Sequence, residues 1–271
     1  MTKLEYTFKN DTLFKMLFVK HPALLKKLVA ELLGIPLDSI GQFEITNPEM
    51  PPENLGDKFC RLDINMTVDG QRVDLEIQVE DEGDYPERTL FYWAREYSNA
   101  LPAGEGYSQL PRTIIISIIN FNLFNCKEFH SEYRALEINR HTELTDKMDL
   151  HYFELPKLPP SVNKNNRLEL WLSLFRAETE EELTNLEKME VPEMQQAIQA
   201  YHSITVTPEF REMERLRSKA RHDEAQALYN AERKGLFNVA KNLLRVGDSV
   251  DKVIDVTGLT YAEVENLQNA D

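Results

Sequence analysis

The sequence predicts a mixed α/β fold, with a central β-sheet flanked by helices and a purely α-helical C-terminal region. Three observations predict it. Two alternating strands joined by Asp69-Gly70 stand between two amphipathic helices. The β-branched run Thr113–Ile119 is apolar on both faces, as a central buried strand is. Beyond a Pro- and Asn-rich stretch near residue 160, the periodicity is helical almost to the end.

Residues 11–33 carry an apolar stripe of Phe14, Leu17, Phe18, Leu24, Leu25, Leu28, Val29 and Leu32 that stops at Gly34 and Pro36. This spacing predicts an amphipathic helix with a break near Pro22. Residues 58–68 and 71–80 alternate between apolar and polar, which predicts two strands. Asp69-Gly70 between them suits a type I′ turn, whose two central residues both need positive φ. Pro86 opens a second helical run through Leu90, Phe91, Trp93, Ala94, Tyr97 and Leu101, closing before Gly104 and Gly106. After Thr113–Ile119, further strands are expected at about 136–139 and 148–155.

Pro156, Pro159 and Pro160 with Asn163, Asn165 and Asn166 read as a linker, followed by helical segments over 167–188, 192–203 and 208–245. A small two-helix unit closes the chain. Ser249 caps its first helix, Gly258 ends it, and Thr260 with Glu263 makes a capping box for the second. The expected division is therefore an α/β domain over 1–160, a helical extension over 161–245 and the two-helix unit over 246–271.

A composition of 42% hydrophobic and 28% charged residues indicates a globular protein, and no apolar stretch has membrane-spanning length. The N-terminus lacks an apolar h-region, so a cytoplasmic location without membrane partners is expected. Cys60 and Cys126 have no paired spacing, and the six histidines (His21, His130, His141, His151, His202 and His222) show no ligand spacing. No disulfide or zinc framework is expected. No P-loop, dinucleotide fingerprint or serine elbow appears, so no organic cofactor is assigned. The net charge of −15 opposes wide, sequence-independent attraction to nucleic acid.

Chemistry concentrates on the hairpin. Across the turn Val68 faces Gln71, and stepping outwards pairs Asn65 with Asp74, Asp63 with Glu76 and Arg61 with Gln78. Cross-strand partners share a face with Cβ atoms about 4.5–5.5 Å apart, so the carboxylates of Asp63 and Glu76 reach one cation. Leu62, Ile64, Met66, Val73, Leu75, Ile77 and Val79 occupy the opposite face. Facing carboxylates repel unless neutralised, and an all-oxygen donor set suits Mg²⁺ or Mn²⁺ completed by water and a substrate phosphate. The chemistry this predicts is phosphodiester hydrolysis. On pattern alone the same acids also suit the solvated face of an amphipathic hairpin.

Asp11-Thr-Leu-Phe-Lys15, Arg61-Leu-Asp-Ile64, Leu75-Glu-Ile-Gln78, Glu87-Arg-Thr-Leu-Phe-Tyr92 and Gly106-Tyr107 before the Ile-rich strand together resemble the recombination-promoting nuclease, or transposase-like, family of the PD-(D/E)xK superfamily. The resemblance spans roughly residues 8–155, with a looser echo at the C-terminus. It implies a restriction-endonuclease-like α/β core and Mg²⁺-dependent DNA endonuclease activity. In that pattern Asp63 takes the place of the motif's Asp, Glu76 of its (D/E) and Gln78 of its Lys. Asp63, Glu76 and Gln78 are thus the candidate catalytic residues, with Asp63 and Glu76 as metal ligands. Gln78 departs from the superfamily consensus: an amide orients water by hydrogen bonding but brings no positive charge.

Lys15, Lys58 and Arg88 are candidate sources of that charge. Asp11 is expected to cap the first helix, with a supporting role at the site as the alternative. Arg88 and Tyr92, four apart on one helix face, suit either DNA contact or packing and pairing with the sheet. The basic run from Arg211 to Arg221 is read as a solvated helix face paired with Glu212 and Glu214. The C-terminal unit resembles a helix-turn-helix in outline, but Glu263, Glu265 and Asp271 oppose phosphate contact, and self-association or regulation of the nuclease-like domain is expected of it instead. The alternative to an active endonuclease is a catalytically inactive nuclease-fold protein serving as an interaction or regulatory module.

Overall fold

Asn10 accepts a hydrogen bond from the Leu13 amide at 2.9 Å and thereby caps α1 (Asp11–Lys20). Asp11 is the first residue of that helix, not its cap as expected, and its charge instead faces the positive end of the helix dipole. The break expected near Pro22 is present: α2 (Pro22–Leu33) starts at that proline and ends on Gly34, whose φ of 63° lets its amide return to the last carbonyls. The computed structural model describes residues 2–47, 64–101 and 103–269.

Six strands form one mixed sheet: β1 (Phe43–Ile45), β2 (Ile64–Val68), β3 (Gln71–Gln78), β4 (Thr113–Ile119), β5 (His130–Tyr133) and β6 (Met148–Glu154), in the order β1-β2-β3-β4-β6-β5. β3, β4 and β6 run parallel at its centre, and the outer pairings are antiparallel. The β2–β3 turn holds Asp69 at φ 48° and Gly70 at φ 78°, the two positive values a type I′ turn demands. The Asp69 carboxylate also accepts from the amides of Gly41 and Gln42 at 3.0 and 2.7 Å, tying the turn to the segment that enters β1. Every residue of β4 is buried, as its two-faced apolar sequence requires.

Helix α3 (Tyr85–Asn99) connects β3 to β4 and packs against β4. Tyr85, Ile115, Ile119, Leu150 and Tyr152 form a core cluster there, with Trp93 and Phe121 against it. Trp93 also donates its indole N–H to the Thr113 carbonyl at 3.0 Å. The strand expected at 136–139 does not form beyond a single bridge from Leu136 to Glu143. There the Glu137 carboxylate accepts from the amides of Asn139 and Arg140, which satisfies the backbone in a turn, and Ile138 stays 86% exposed. The edge strand is β5 instead, whose polar sequence gives no apolar alternation.

The segment 167–188 is two helices, α4 (Arg167–Arg176) and α5 (Glu180–Glu187). Thr179 and Glu182 form a reciprocal capping box at the break. α6 (Pro192–Thr205) contacts α1, and α4 contacts α2, so these helices belong with the sheet to one compact unit over Met1–Arg211. A second unit covers Glu212–Asp271. It contains most of α7 (Pro208–Arg245), together with α8 (Val250–Thr257) and α9 (Tyr261–Asn269), around a core of Ala240, Val253, Leu259 and Val264. Ser249 caps α8, Gly258 ends it at φ 65°, and Thr260 and Glu263 exchange capping hydrogen bonds at α9. No helix among the described residues is long and apolar enough to cross a membrane.

Candidate active site

The hairpin register runs from Ile64–Leu75 to Val68–Gln71 and includes Asn65–Asp74, the pairing expected from the turn. Alternation along β3 then puts Asp74, Glu76 and Gln78 on one face, and Val73, Leu75 and Ile77 on the other. Asp63, like Lys58, lies outside the described residues. Across the parallel ladder Glu76 neighbours Ser117 of β4, which in turn neighbours Tyr152 of β6, so these three share that face.

Glu76 is 8% exposed, and its carboxylate accepts a short hydrogen bond from the Tyr85 hydroxyl. Tyr85 is the first residue of α3, so the helix start fixes a donor directly over the strand. Burial, and after it the nearby Glu76 charge, push the Tyr85 hydroxyl well above its ordinary pKa, opposed in part by Ser117 and Arg88. Tyr85 therefore remains a protonated donor throughout the neutral range. Arg88 lies one helical turn on, with its guanidinium 4.8 Å from the Tyr85 ring centroid and 2.7 Å from the exposed Glu82 carboxylate. Glu76, Tyr85 and Arg88 thus form one contiguous group.

The other expected residues are placed as follows. Gln78 is half-buried at the end of β3 and donates its amide to the Glu80 carbonyl at 2.9 Å. Tyr92 is half-buried on α3 with its ring edge-on to Phe91 at 5.8 Å. Asp11 and Lys15 belong to α1, where Lys15 is 3% exposed.

Chemically, Glu76 and Asp74 bring carboxylate oxygens and Gln78 an amide to one face, the donor type a hard divalent cation prefers. Among the described residues, a grouping of three His, Cys, Asp or Glu ligands occurs elsewhere, at Glu132, Asp149 and His151. The Glu76 carboxylate and the oxygen donors beside it on β3 fit a hard divalent cation, which takes oxygen ligands.

Two features escaped the sequence reading. Tyr85 precedes the proline taken as the helix start, and only its nine-residue distance from Glu76 across a tight connection could have signalled it. The histidines His130 and His151 lack ligand spacing in the sequence, yet they meet at 3.0 Å between β5 and β6. The signal available was Asp149-Leu-His151, whose first and third residues share a face once the segment is a strand.

A family model described as PD-(D/E)XK nuclease family transposase matches residues 8–231. Neither the curated proteins nor the solved structures contain a match to the chain.

Proposed function

The chain belongs to the PD-(D/E)XK nuclease family transposases, and from that premise we propose that it is a metal-dependent DNA endonuclease acting in the cytosol, with recombination as its setting. Asp63 and Glu76 would hold Mg²⁺, with Mn²⁺ as a substitute. When bound, that ion acidifies a water and offsets the charge that builds on the scissile phosphate. In the hydrolysis the water would give up a proton to solvent as its oxygen bonds to phosphorus, the bond to the leaving deoxyribose oxygen would break, and that oxygen would take a proton from solvent, leaving a phosphate monoester and a free hydroxyl.

Within this reading each side chain has a task. Tyr85 fixes the Glu76 carboxylate through its donated hydrogen bond. Gln78, on the same face, orients the attacking water with its amide. Arg88 exchanges the exposed Glu82 for a DNA phosphate, a bidentate partner that suits a guanidinium. Asp11, Lys15 and Tyr92 support the site, and the helical C-terminal region serves self-association. With a net charge of −15, DNA must be drawn by such local groups and the bound ion, not by the overall field.

The observation that carries the reading is the buried Glu76 carboxylate, held by a helix-borne hydroxyl on the face it shares with Gln78. Two observations favour a second reading, an inactive nuclease fold used for interaction: Glu76 is covered, and the amide in the lysine's place is already bonded to a backbone carbonyl. Supercoiled plasmid incubated with the protein and Mg²⁺ or Mn²⁺ separates the two. Nicking or cutting that disappears in Asp63→Ala and Glu76→Ala supports the endonuclease. Intact DNA of every form with both metals leaves the interaction module.

A further inference from the structure

We propose that Glu132, Asp149 and His151 form a binding site for a borderline divalent transition-metal ion of the zinc type, on the sheet face opposite Glu76. Residues 149 and 151 of β6 alternate with Tyr152, and Glu132 is paired directly with His151 across β5–β6, so all three side chains emerge on one face. One ligand atom from each lies within 4.8 Å of the others.

The second observation is independent of that grouping. Asp149 Oδ1 and His151 Nε2 are both buried, and neither has a hydrogen-bond partner. They stand 3.3 Å apart, within ion-pair range but without the alignment of a hydrogen bond. Buried polar atoms seldom go without partners, and two that face each other this way are disposed to share a third group. Ligands bound at zinc–nitrogen and zinc–oxygen lengths of about 2.0–2.1 Å in a tetrahedron are separated by about 3.3 Å. The site is thus spaced for ligation without rearrangement of its two buried members.

The surroundings hold those members as ligands need to be held. His151 Nδ1 is 3.0 Å from His130 Nε2, so a proton on Nδ1 donated to His130 leaves the Nε2 lone pair directed into the site. Arg112 binds Asp149 through Oδ2, leaving Oδ1 to the ion. Imidazole with two carboxylates selects zinc-type ions over Mg²⁺, which takes oxygen ligands. The opposing feature is Arg134, whose Nη2 is 2.6 Å from Glu132 and whose Nε is 3.8 Å from Asp149 Oδ1. Arg134 is 40% exposed and also reaches Glu143 at 3.4 Å, so ion entry displaces it towards that residue. Arginine and metal compete, and binding is weaker for it.

The test is calorimetric titration of the full chain with Zn²⁺ alone, repeated with Co²⁺ to read the absorption bands of a nitrogen-containing tetrahedral site. A site is expected in the wild type that persists in Glu76→Ala, weakens at least tenfold in Glu132→Gln and strengthens severalfold in Arg134→Ala. Glu132 and Arg134 are partly exposed, so neither variant threatens the fold. Zinc binding that vanishes with Glu76→Ala, or that Glu132→Gln leaves unchanged, overturns the proposal. So does an absence of binding in both the wild type and Arg134→Ala.

Discussion

The two faces of the sheet carry buried charge in different ways. On one face Glu76 accepts a short hydrogen bond from the Tyr85 hydroxyl, and the Arg88 guanidinium lies over the tyrosine ring. On the other, Asp149 is met by Arg112, with Arg134 and His151 close by. Its carboxyl is held below the usual range although burial alone would raise it, because His151 and then Arg112 outweigh that burial. Asp149 Oδ2 is taken up by a full cationic partner, whereas a hydroxyl brings Glu76 a hydrogen bond without bringing it a positive charge. On the proposed reading the Arg112–Asp149 pair serves stability, and the Glu76 face serves the chemistry.

The largest effect that would break this contrast is on activity. Glu76→Ala should lower plasmid cleavage by about 10²–10³-fold, the usual loss when one group that stabilises charge in a reaction is removed. A variant that cleaves like the wild type would place the chemistry elsewhere. Arg112→Ala should leave cleavage nearly intact and cost stability instead. Removing a partner from a fully buried ion pair costs about 3–5 kcal/mol, but Arg112 keeps a third of its side chain in water, so about 2–3 kcal/mol is expected by urea unfolding. Loss of cleavage with unchanged stability would invert the roles assigned to the two faces.

The ease with which each face is read from the sequence follows the same division. Glu76 and Gln78 sit on a hairpin whose register is set locally by Asp69-Gly70, so their shared face is deducible before any tertiary contact is known. Thr113–Ile119 is equally plain, because a strand buried on both sides must be apolar throughout. The Asp149 cluster is assembled from β5, β6 and Arg112, which only the completed sheet brings together. Its edge strand, His-Ser-Glu-Tyr, has no apolar alternation to announce it. Exposed Leu136 and Ile138 counterfeited a strand where Glu137 organises a turn. The split at Thr179 was readable as Thr-x-x-Glu, but the helical periodicity running across it concealed the signal.

Tyr85→Phe sharpens the comparison on the Glu76 side by deleting the neutral donor and little else. A hydrogen bond to a buried carboxylate should be missed by about 1.5–3 kcal/mol in urea unfolding. Cleavage should fall less than in Glu76→Ala, since Tyr85 positions the acid without contacting the phosphate. An equal fall would make the hydroxyl part of the reacting group.

The smallest effect concerns pH on the Asp149 side, in metal-free protein. His130 stacks on Phe153 and faces His151 and Asp149 of β6, with Glu132 on its own strand. Burial, and then repulsion from His151, lower its pKa, while Glu132 and Asp149 pull the other way. A histidine with a depressed folded-state pKa binds its proton more readily when unfolded. Its contribution is therefore complete above the unfolded value of about 6.5 and is lost as pH falls through the folded one. Unfolding free energy should decline from pH 7 towards pH 5, and His130→Asn should flatten that decline. A steeper decline in the variant would mean that the charge of Glu132 and Asp149, not burial, governs the histidine pair.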